Sequence, residues 1–304
     1  MPLPGSGGAT TGPSRPSFHN VLVCTDLSPA STPALHEAAR FCRVAGSHLV
    51  VLHACQCGLL SKGTEEGIDQ VAEQLCRQDG KLQRVADEMR RSGVSVETVL
   101  EYGPTSEVIL KCMATMHIDL AILGTHGATG TERLFWGSTA EEVLRKASCP
   151  VMTVGPRGTV SKADGPRPVI FATDFQSCST EAVHLASAMA KAAGGPLHCV
   201  HVLPLSMDVE GRAPIIPQVM TEALRHMLEQ KQVNNADAVC AVTYGSEVSH
   251  AIVDYAKAHD AQAIVLGVHR TSWFATHLVP HVTYRIIVTA SCPVVTISSE
   301  PAKE

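Results

Sequence analysis

The chain has few aromatic residues, little charge and no long apolar run. Phe, Trp and Tyr make up only 4% of its 304 residues, so the core must be built mainly from Val, Leu, Ile and Ala. This composition is typical of parallel sheets covered by helices, whose strands are buried on both faces. No apolar run approaches the roughly 18–20 residues of a membrane helix, so no membrane partner is expected. Residues 1–17 lack the apolar segment of a signal peptide and are predicted to be a disordered tail.

The chain also lacks an excess of basic residues. Its 24 Lys and Arg residues are outnumbered by 29 Asp and Glu residues, which gives a formal net charge of −5. Proteins that bind nucleic acid usually carry a basic surface, so nucleic acid is not expected as the main partner. The 11 cysteines fall mostly within apolar stretches, as reduced thiols that pack in a core do. We therefore expect a cytoplasmic protein without structural disulfides.

The sequence contains two copies of one pattern. Thr25-Asp26 recurs as Thr173-Asp174, and Ala147-Ser-Cys-Pro-Val recurs as Ala290-Ser-Cys-Pro-Val. Counterparts are 148 positions apart near the start of the copies and 143 apart near the end. The repeat therefore predicts two related domains, with the second copy slightly shorter in its middle.

The predicted domains cover residues 18–155 and 168–299. The linker between them, residues 156–167, is rich in Gly, Pro and charged residues, and the apolar pattern stops there. Residues 300–304 are predicted to be a second tail.

Within the first copy, short apolar runs alternate with helical patterns. The predicted strands are Asn20–Thr25, His48–Ala54, Ser95–Tyr102, Asp119–Gly124 and Pro150–Val154. The predicted helices run from a Ser28-Pro29 cap to about Val44, over Ile68–Arg91, from Gly103-Pro104 to about Met116, and over Ser138–Ala147. This alternation predicts an α/β fold with a parallel sheet.

The strand ends contain the candidate binding residues, because ligands of open parallel sheets bind at the carboxyl ends of the strands. The stretch after Leu123 is rich in glycine and ends in Gly137-Ser138-Thr139, at the start of a helix. Backbone N–H groups in such a loop, together with a helix N-terminus, favour an anion. However, Ser138 and Glu141 also form a capping-box pattern, and Glu141-Glu142 would repel phosphate unless Mg²⁺ were present. On spacing alone, a phosphate site and an ordinary surface loop both remain open.

The spacing Gly124-x2-Gly127-x9-Gly137-Ser138 resembles the nucleotide-binding signature of the universal stress protein family. Thr25-Asp26-x-Ser28 and Leu52-His53-Ala54 match the same family, and the resemblance covers nearly the whole chain after residue 17. It implies two tandem open-sheet sandwich domains, each with a five-stranded parallel sheet of strand order 3-2-1-4-5.

The resemblance also implies that the first domain binds ATP, with or without Mg²⁺. Thr25 and Asp26 would lie along the ribose and adenine, and the Asp26 carboxylate can accept hydrogen bonds from both ribose hydroxyls. Ala54 and Leu123 would flank the base with backbone and side chain. The ribose and phosphates would be held by Gly124, His126, Gly127, Gly137, Ser138 and Thr139.

The second copy departs from this signature. Arg270, Pro280 and His281 stand where the first copy has Gly127, Gly137 and Ser138. A side chain would occupy the approach of the phosphates, and proline removes a backbone donor. The second domain is therefore expected to be mainly structural, with Arg270 as a candidate anion contact. The family resemblance further implies that the last strand of each domain pairs with the other, and it leaves a homodimer open.

Two functional hypotheses follow. The first is an ATP-binding stress-response protein in which any hydrolysis is slow, because no activated base or arginine finger is evident beside the loop. The second is a nucleotide-free stress or scaffold protein that acts through its domain and dimer interfaces. No catalytic residues are predicted. No metal site is predicted either, because Cys55-x-Cys57 has no second cysteine pair near it.

Overall fold

The apolar runs of the sequence form the strands of one continuous sheet. The computed structural model describes residues 18–55, 65–125, 138–155, 165–176, 179–207, 215–269 and 282–299. In these ranges, ten strands lie side by side with helices on both faces of the sheet. The predicted α/β class is confirmed.

Each repeat contributes five strands and four helices to the described part of the chain. The first repeat consists of β1 (Asn20–Cys24), α1 (Thr32–Ala45), β2 (His48–Cys55), α2 (Glu65–Arg91), β3 (Ser95–Tyr102), α3 (Thr105–Thr115), β4 (Leu120–Gly124), α4 (Ser138–Lys146) and β5 (Val151–Val154). The second consists of β6 (Val169–Ala172), α5 (Ser179–Ala192), β7 (Leu197–Pro204), α6 (Ile215–Gln230), β8 (Val239–Gly245), α7 (Val248–Ala258), β9 (Ala263–His269), α8 (Val282–Thr289) and β10 (Val294–Ser299).

The strand order is the same in both repeats. The first repeat reads β3-β2-β1-β4-β5 and the second reads β8-β7-β6-β9-β10, with all neighbours inside a repeat parallel. Both correspond to the order 3-2-1-4-5, as predicted.

The two five-stranded sheets join where β5 and β10 pair antiparallel. Thr153 faces Val294 in this register and Met152 faces Val295. The Thr153 hydroxyl also donates a hydrogen bond of 3.0 Å to the Val294 carbonyl. We call this pairing of β5 with β10 the seam. It makes one sheet of the two repeats.

The core lies in two layers, one on each face of the sheet. Val21 and Val23 of β1 pack on the face covered by α1, α2, α5 and α6, whereas Leu22 packs on the face covered by α3, α4, α7 and α8. Successive side chains of a strand point to opposite faces, so strands covered on both sides are apolar at every position. This explains why the strands are continuous apolar runs in the sequence.

The predicted start of α1 is wrong. Pro29–Ser31 form a short 3-10 turn, and the α-helix begins at Thr32. The Ser28 hydroxyl caps no helix N–H; it donates instead to Asp26 Oδ1 at 2.7 Å. A short polar side chain such as Ser28 can bond to a nearby side chain or backbone group instead of capping a helix. Here the Ser28 hydroxyl bonds to the Asp26 carboxylate.

No helix in the described ranges combines the length and apolarity needed to cross a membrane. Nor do three or more His, Cys, Asp or Glu side chains come together in those ranges in a way that could hold a metal ion.

Candidate functional site

The strand order of the first repeat reverses beside β1. β2 and β3 lie on one side of β1, and β4 and β5 lie on the other. In an open parallel sheet this reversal leaves a crevice at the carboxyl ends of the two central strands. Asp26 follows β1 by two residues, and Gly124 is the last residue of β4. The candidate site therefore lies at this crevice.

A tight turn directly after β1 points Thr25 inward. Thr25 is only 5% exposed, and its Oγ1 accepts a 2.9 Å hydrogen bond from the Leu27 N–H. Its hydroxyl lies 2.7 Å from Ser31 Oγ, which itself donates to the Ser28 carbonyl at 2.9 Å. Because the Ser31 proton is used there, the Thr25 hydroxyl donates to Ser31. These bonds support Leu27 at a φ of 61°, a left-handed conformation that is uncommon for leucine.

A buried histidine fastens this turn to the neighbouring strand. His53 Nδ1 in β2 lies 2.8 Å from the Thr25 carbonyl oxygen. A carbonyl only accepts hydrogen bonds, so Nδ1 carries the proton. The Thr25 N–H in turn donates to the Leu52 carbonyl at 3.0 Å. The end of β1 is thus held to β2 through both the N–H and the carbonyl of Thr25.

Asp26 is the residue of this turn that faces solvent. Its Oδ1 accepts hydrogen bonds from the Ser28 N–H at 3.0 Å and from the Ser28 hydroxyl at 2.7 Å. Two donors on one oxygen orient the carboxylate. The turn therefore presents an oriented negative group at the mouth of the crevice.

One of the two glutamates near the start of α4 is paired with a positive charge. Glu142 accepts hydrogen bonds from Lys146 Nζ at 2.7 Å and from the Ser106 hydroxyl at 2.6 Å. These two bonds, the Lys146 one first, hold the pKa of the Glu142 carboxyl below its usual value. A positive charge thus compensates Glu142. Of the two glutamates expected to repel phosphate, the exposed Glu141 is the one to which this argument still applies.

A small cleft opens beyond the end of β2, next to Ala54. Its volume is about 150 Å³, below the roughly 300–1,000 Å³ of small-molecule pockets, so the described residues enclose only part of a ligand. The cleft is lined by His53, Ala54, Cys55, Gln74, Leu75, Gln78 and Tyr102. A larger cavity of about 650 Å³ borders α1 and the start of the second repeat, but none of the predicted site residues lines it.

The structure brings some of the predicted site residues together. Thr25, Asp26, Ala54, Leu123 and Gly124 lie at the carboxyl ends of three adjacent strands, and Ser138 and Thr139 begin α4. His126, Gly127 and Gly137 lie outside the described residues, as do Arg270, Pro280 and His281. Leu123 is 4% exposed and packs in the core, so its side chain does not face the crevice and only its backbone could flank a base.

The same turn is built a second time after β6. Phe175 has a φ of 65°, and its N–H donates to Thr173 Oγ1 at 2.9 Å. Asp174 Oδ1 accepts from the Gln176 N–H at 3.1 Å, and His201 Nδ1 lies 2.9 Å from the Thr173 carbonyl. The Thr-Asp turn is therefore common to both repeats. The two repeats differ in sequence in the glycine-rich stretch, where Arg270 and Pro280 replace Gly127 and Gly137.

The sequence analysis did not predict that His53 and Ser31 hold the turn after β1 by hydrogen bonds to Thr25. For His53 a signal was present, because His201 stands 148 positions later, the offset that also relates Asp26 to Asp174. For Ser31 the same signal was present, because Ser179 stands 148 positions later.

Thr25→Val is expected to destabilise the first repeat by about 1–3 kcal/mol, because it leaves the Leu27 N–H without its buried acceptor. The change keeps the side-chain shape, so packing is little altered. Thr173→Val removes the equivalent bond to Phe175 and is the matched variant. Urea unfolding of both variants measures the loss. A loss below about 0.5 kcal/mol in both would contradict the role given to this hydroxyl.

The fold and these strand ends define a tandem α/β protein with one switch-point crevice in each repeat. The sequence model of the universal stress protein family matches residues 17–155 and 166–298. The chain belongs to the universal stress protein family.

Some similar proteins match one repeat of this chain, and others match both. Universal stress protein MJ0531 of Methanocaldococcus jannaschii is 26% identical over 139 residues, which are 45% of this chain and 82% of that protein. A universal stress protein of Thermus aquaticus is 30% identical over 139 residues, 45% of this chain and 98% of that protein. The crystal structure of a universal stress protein from Archaeoglobus fulgidus covers 92% of this chain and 97% of its own, with 23% identity and a TM-score of 0.66. That structure shares the fold of both repeats.

Proposed function

We propose that the first repeat binds ATP at the crevice between β1 and β4, and that the protein acts in the stress response through this nucleotide. The observation that carries the proposal is the oriented Asp26 carboxylate at the strand-order reversal, next to the end of β4 at Gly124, which the glycine-rich stretch follows in the sequence. A carboxylate at this place suits the two hydroxyls of a ribose.

The remaining parts of the nucleotide follow from this anchor. The adenine would lie toward Ala54 and the small cleft beside Tyr102, where its ring finds apolar and polar neighbours. The phosphates would lie toward Gly124 and the start of α4, with Ser138 and Thr139 as hydroxyl donors. The helix N-terminus contributes its positive dipole end there. His126, Gly127 and Gly137 belong to this proposed site by sequence.

Mg²⁺, where it accompanies the nucleotide, would be held mainly by phosphate oxygens, as is usual for this ion. Any hydrolysis is expected to be slow, because two candidate bases are already hydrogen-bonded. The Glu142 carboxylate accepts from Lys146 and Ser106, and His53 Nδ1 donates to the Thr25 carbonyl.

The second repeat is proposed to be mainly structural, because it builds the same turn without the glycine loop. Its contribution would be the seam with the first repeat. We place the protein in the cytoplasm, with adenine nucleotide as its small-molecule partner and without nucleic acid or membrane partners. The proposal allows either a monomer or a homodimer of the tandem chain.

A second candidate function is a nucleotide-free scaffold that acts through its interfaces. It is favoured by one observation: the Asp174 turn exists in a repeat whose sequence lacks the glycine signature. A Thr-Asp turn can therefore serve the fold alone.

Asp26→Asn is expected to weaken ATP binding roughly 10-fold or more, because a hydrogen bond to a charged group contributes about 1.5–3 kcal/mol. Asn keeps an oxygen acceptor for Ser28, so the turn is retained. Calorimetric titration of nucleotide-stripped protein with ATP, ADP and AMP measures the change and identifies the preferred nucleotide.

Asp174→Asn is the matched control, since Asp174 occupies the same turn in the second repeat. It should leave the affinity for ATP unchanged. Equal losses in both variants would contradict the assignment to the first repeat. A wild-type protein that carries no co-purified nucleotide and binds none at millimolar ATP would favour the scaffold function instead.

A further inference from the structure

Two cysteines of the second repeat lie side by side on neighbouring strands. Cys199 in β7 and Cys240 in β8 are register partners in a parallel pairing. Neighbouring strands lie about 4.8 Å apart, which is inside the Cα separation of about 4.4–6.8 Å that a disulfide requires. Both side chains belong to the same face of the sheet, in the core layer beneath α6. The two thiols are therefore placed for bond formation with little movement of the backbone.

The two thiols differ in their access to solvent. Cys199 is fully buried, at 0% exposure, whereas Cys240 is partly exposed. β8 is the outer strand of the described sheet at this end, and each of its residues is at least partly exposed. A small reagent could therefore reach Cys240 first, with Cys199 behind it.

The first repeat does not contain this pair. The corresponding register position of β2 and β3 holds Val51 and Thr98. The fold therefore does not need two sulfur atoms at this position in order to pack. The paired thiols are a feature that the second repeat has by itself.

We propose that Cys199 and Cys240 form a reversible disulfide by exchange with a low-molecular-weight disulfide such as oxidised glutathione. The Cys240 thiolate attacks one glutathione sulfur, breaks its S–S bond and releases one glutathione thiolate. The Cys199 thiolate then attacks the Cys240 sulfur of this mixed disulfide and releases the second glutathione. The two cysteines give up two electrons and two protons, and one oxidised glutathione becomes two reduced ones.

The surroundings predict how fast this exchange is and how readily it reverses. Burial raises the pKa of the Cys199 thiol and of the Cys240 thiol, and Arg225 of α6 partly opposes the rise at Cys240. Only the thiolate reacts, so the exchange should be slow at neutral pH and faster as the pH rises. A bond between directly paired strand residues is also constrained, and constrained disulfides are the more easily reduced ones. The disulfide should therefore form under oxidising conditions and reopen when reduced glutathione returns.

Mass spectrometry of the full-length protein tests the proposal. The reduced protein is incubated with oxidised glutathione without denaturant, quenched with acid, alkylated and digested with trypsin. Cleavage after Lys191, Arg212 and Lys231 places the two cysteines in separate peptides, each with no other cysteine. We expect these two peptides to be linked in the wild type, with the amount of linked peptide increasing with pH.

Cys199→Val and Cys240→Thr are the matched variants, because they introduce the residues of the first repeat. In the first variant Cys240 should keep bound glutathione, and in the second Cys199 should stay unmodified. Cys76, which is exposed in α2, reports that the reagent is active.

The wild-type result decides the proposal even if a variant folds poorly. Persistent glutathione on wild-type Cys240 without a link to Cys199 would overturn it. An unmodified Cys240 in protein whose Cys76 carries glutathione would also overturn it.

Discussion

Gly127→Arg together with Gly137→Pro is expected to weaken ATP binding by about 100-fold or more. The two changes give the first repeat the residues of Arg270 and Pro280 in the second. An arginine side chain would occupy the approach of the phosphates, and proline supplies no N–H to them. The N–H lost at Gly137 is worth about 1.5–3 kcal/mol, and displacement of the phosphates by the arginine side chain is expected to cost at least as much, so the two effects together reach this factor.

Calorimetric titration with ATP and analysis of co-purified nucleotide measure the effect. The reciprocal variant, Arg270→Gly with Pro280→Gly, is the matched control and should leave the affinity of the first repeat unchanged. If the double variant binds as tightly as the wild type, the assignment of the loop fails while ATP binding itself stands. If the wild type does not bind ATP, the proposed function fails.

Val295→Asp is expected to destabilise the protein by about 3–5 kcal/mol or more. Val295 is 0% exposed, lies in β10 between β9 and β5, and faces Met152 across the seam. An ionised carboxylate in this apolar layer has lost its water, and burial of an unpaired charge is among the most damaging single changes. Because the seam joins the repeats, the change affects the core of both.

Urea unfolding at several pH values measures this loss. Burial raises the pKa of the introduced carboxyl in the folded state, so the folded protein binds the extra proton and the penalty should shrink as the pH falls toward 4. Ser298→Asp, in the same strand at a partly exposed position, is the control and should cost less than about 1 kcal/mol. Equal losses in the two variants would show that the seam is not buried in solution.

Much of the fold could be predicted from the sequence. Strands such as β1 and β4 are apolar at successive positions because both of their faces are covered, and the helices between them have a different period. The turn after β1 could not be predicted in detail. Leu27 adopts a positive φ without being glycine, and the bond between Thr25 and Ser31 forms only where the turn brings the two hydroxyls together.

The sequence predicted which strand ends meet at the crevice, but not the burial or the partners of the residues there. Asp26 and Gly124 were expected at one edge, and the structure places both there. Leu123 was expected, together with Ala54, to flank the base with backbone and side chain, and its side chain is buried in the core. Glu142 was expected to repel phosphate, but Lys146 and Ser106 bind it. The burial of Leu123 and the Ser106 bond depend on contacts with distant segments, whereas Lys146 lies one turn after Glu142 in the same helix.

The sequence by itself determined the two repeats, the alternation of strands and helices, and the loss of glycines in the second copy. Each of these can be read from one segment at a time, because the residue types of a segment depend on its burial and on its backbone conformation. Only the tertiary structure decided the contacts between segments: the register in which β5 pairs with β10, the histidine bonds that hold the turns after β1 and β6, and the position of Cys199 opposite Cys240. Such adjacency arises from hydrogen bonding and packing between segments that are distant in the chain, and no single segment encodes it.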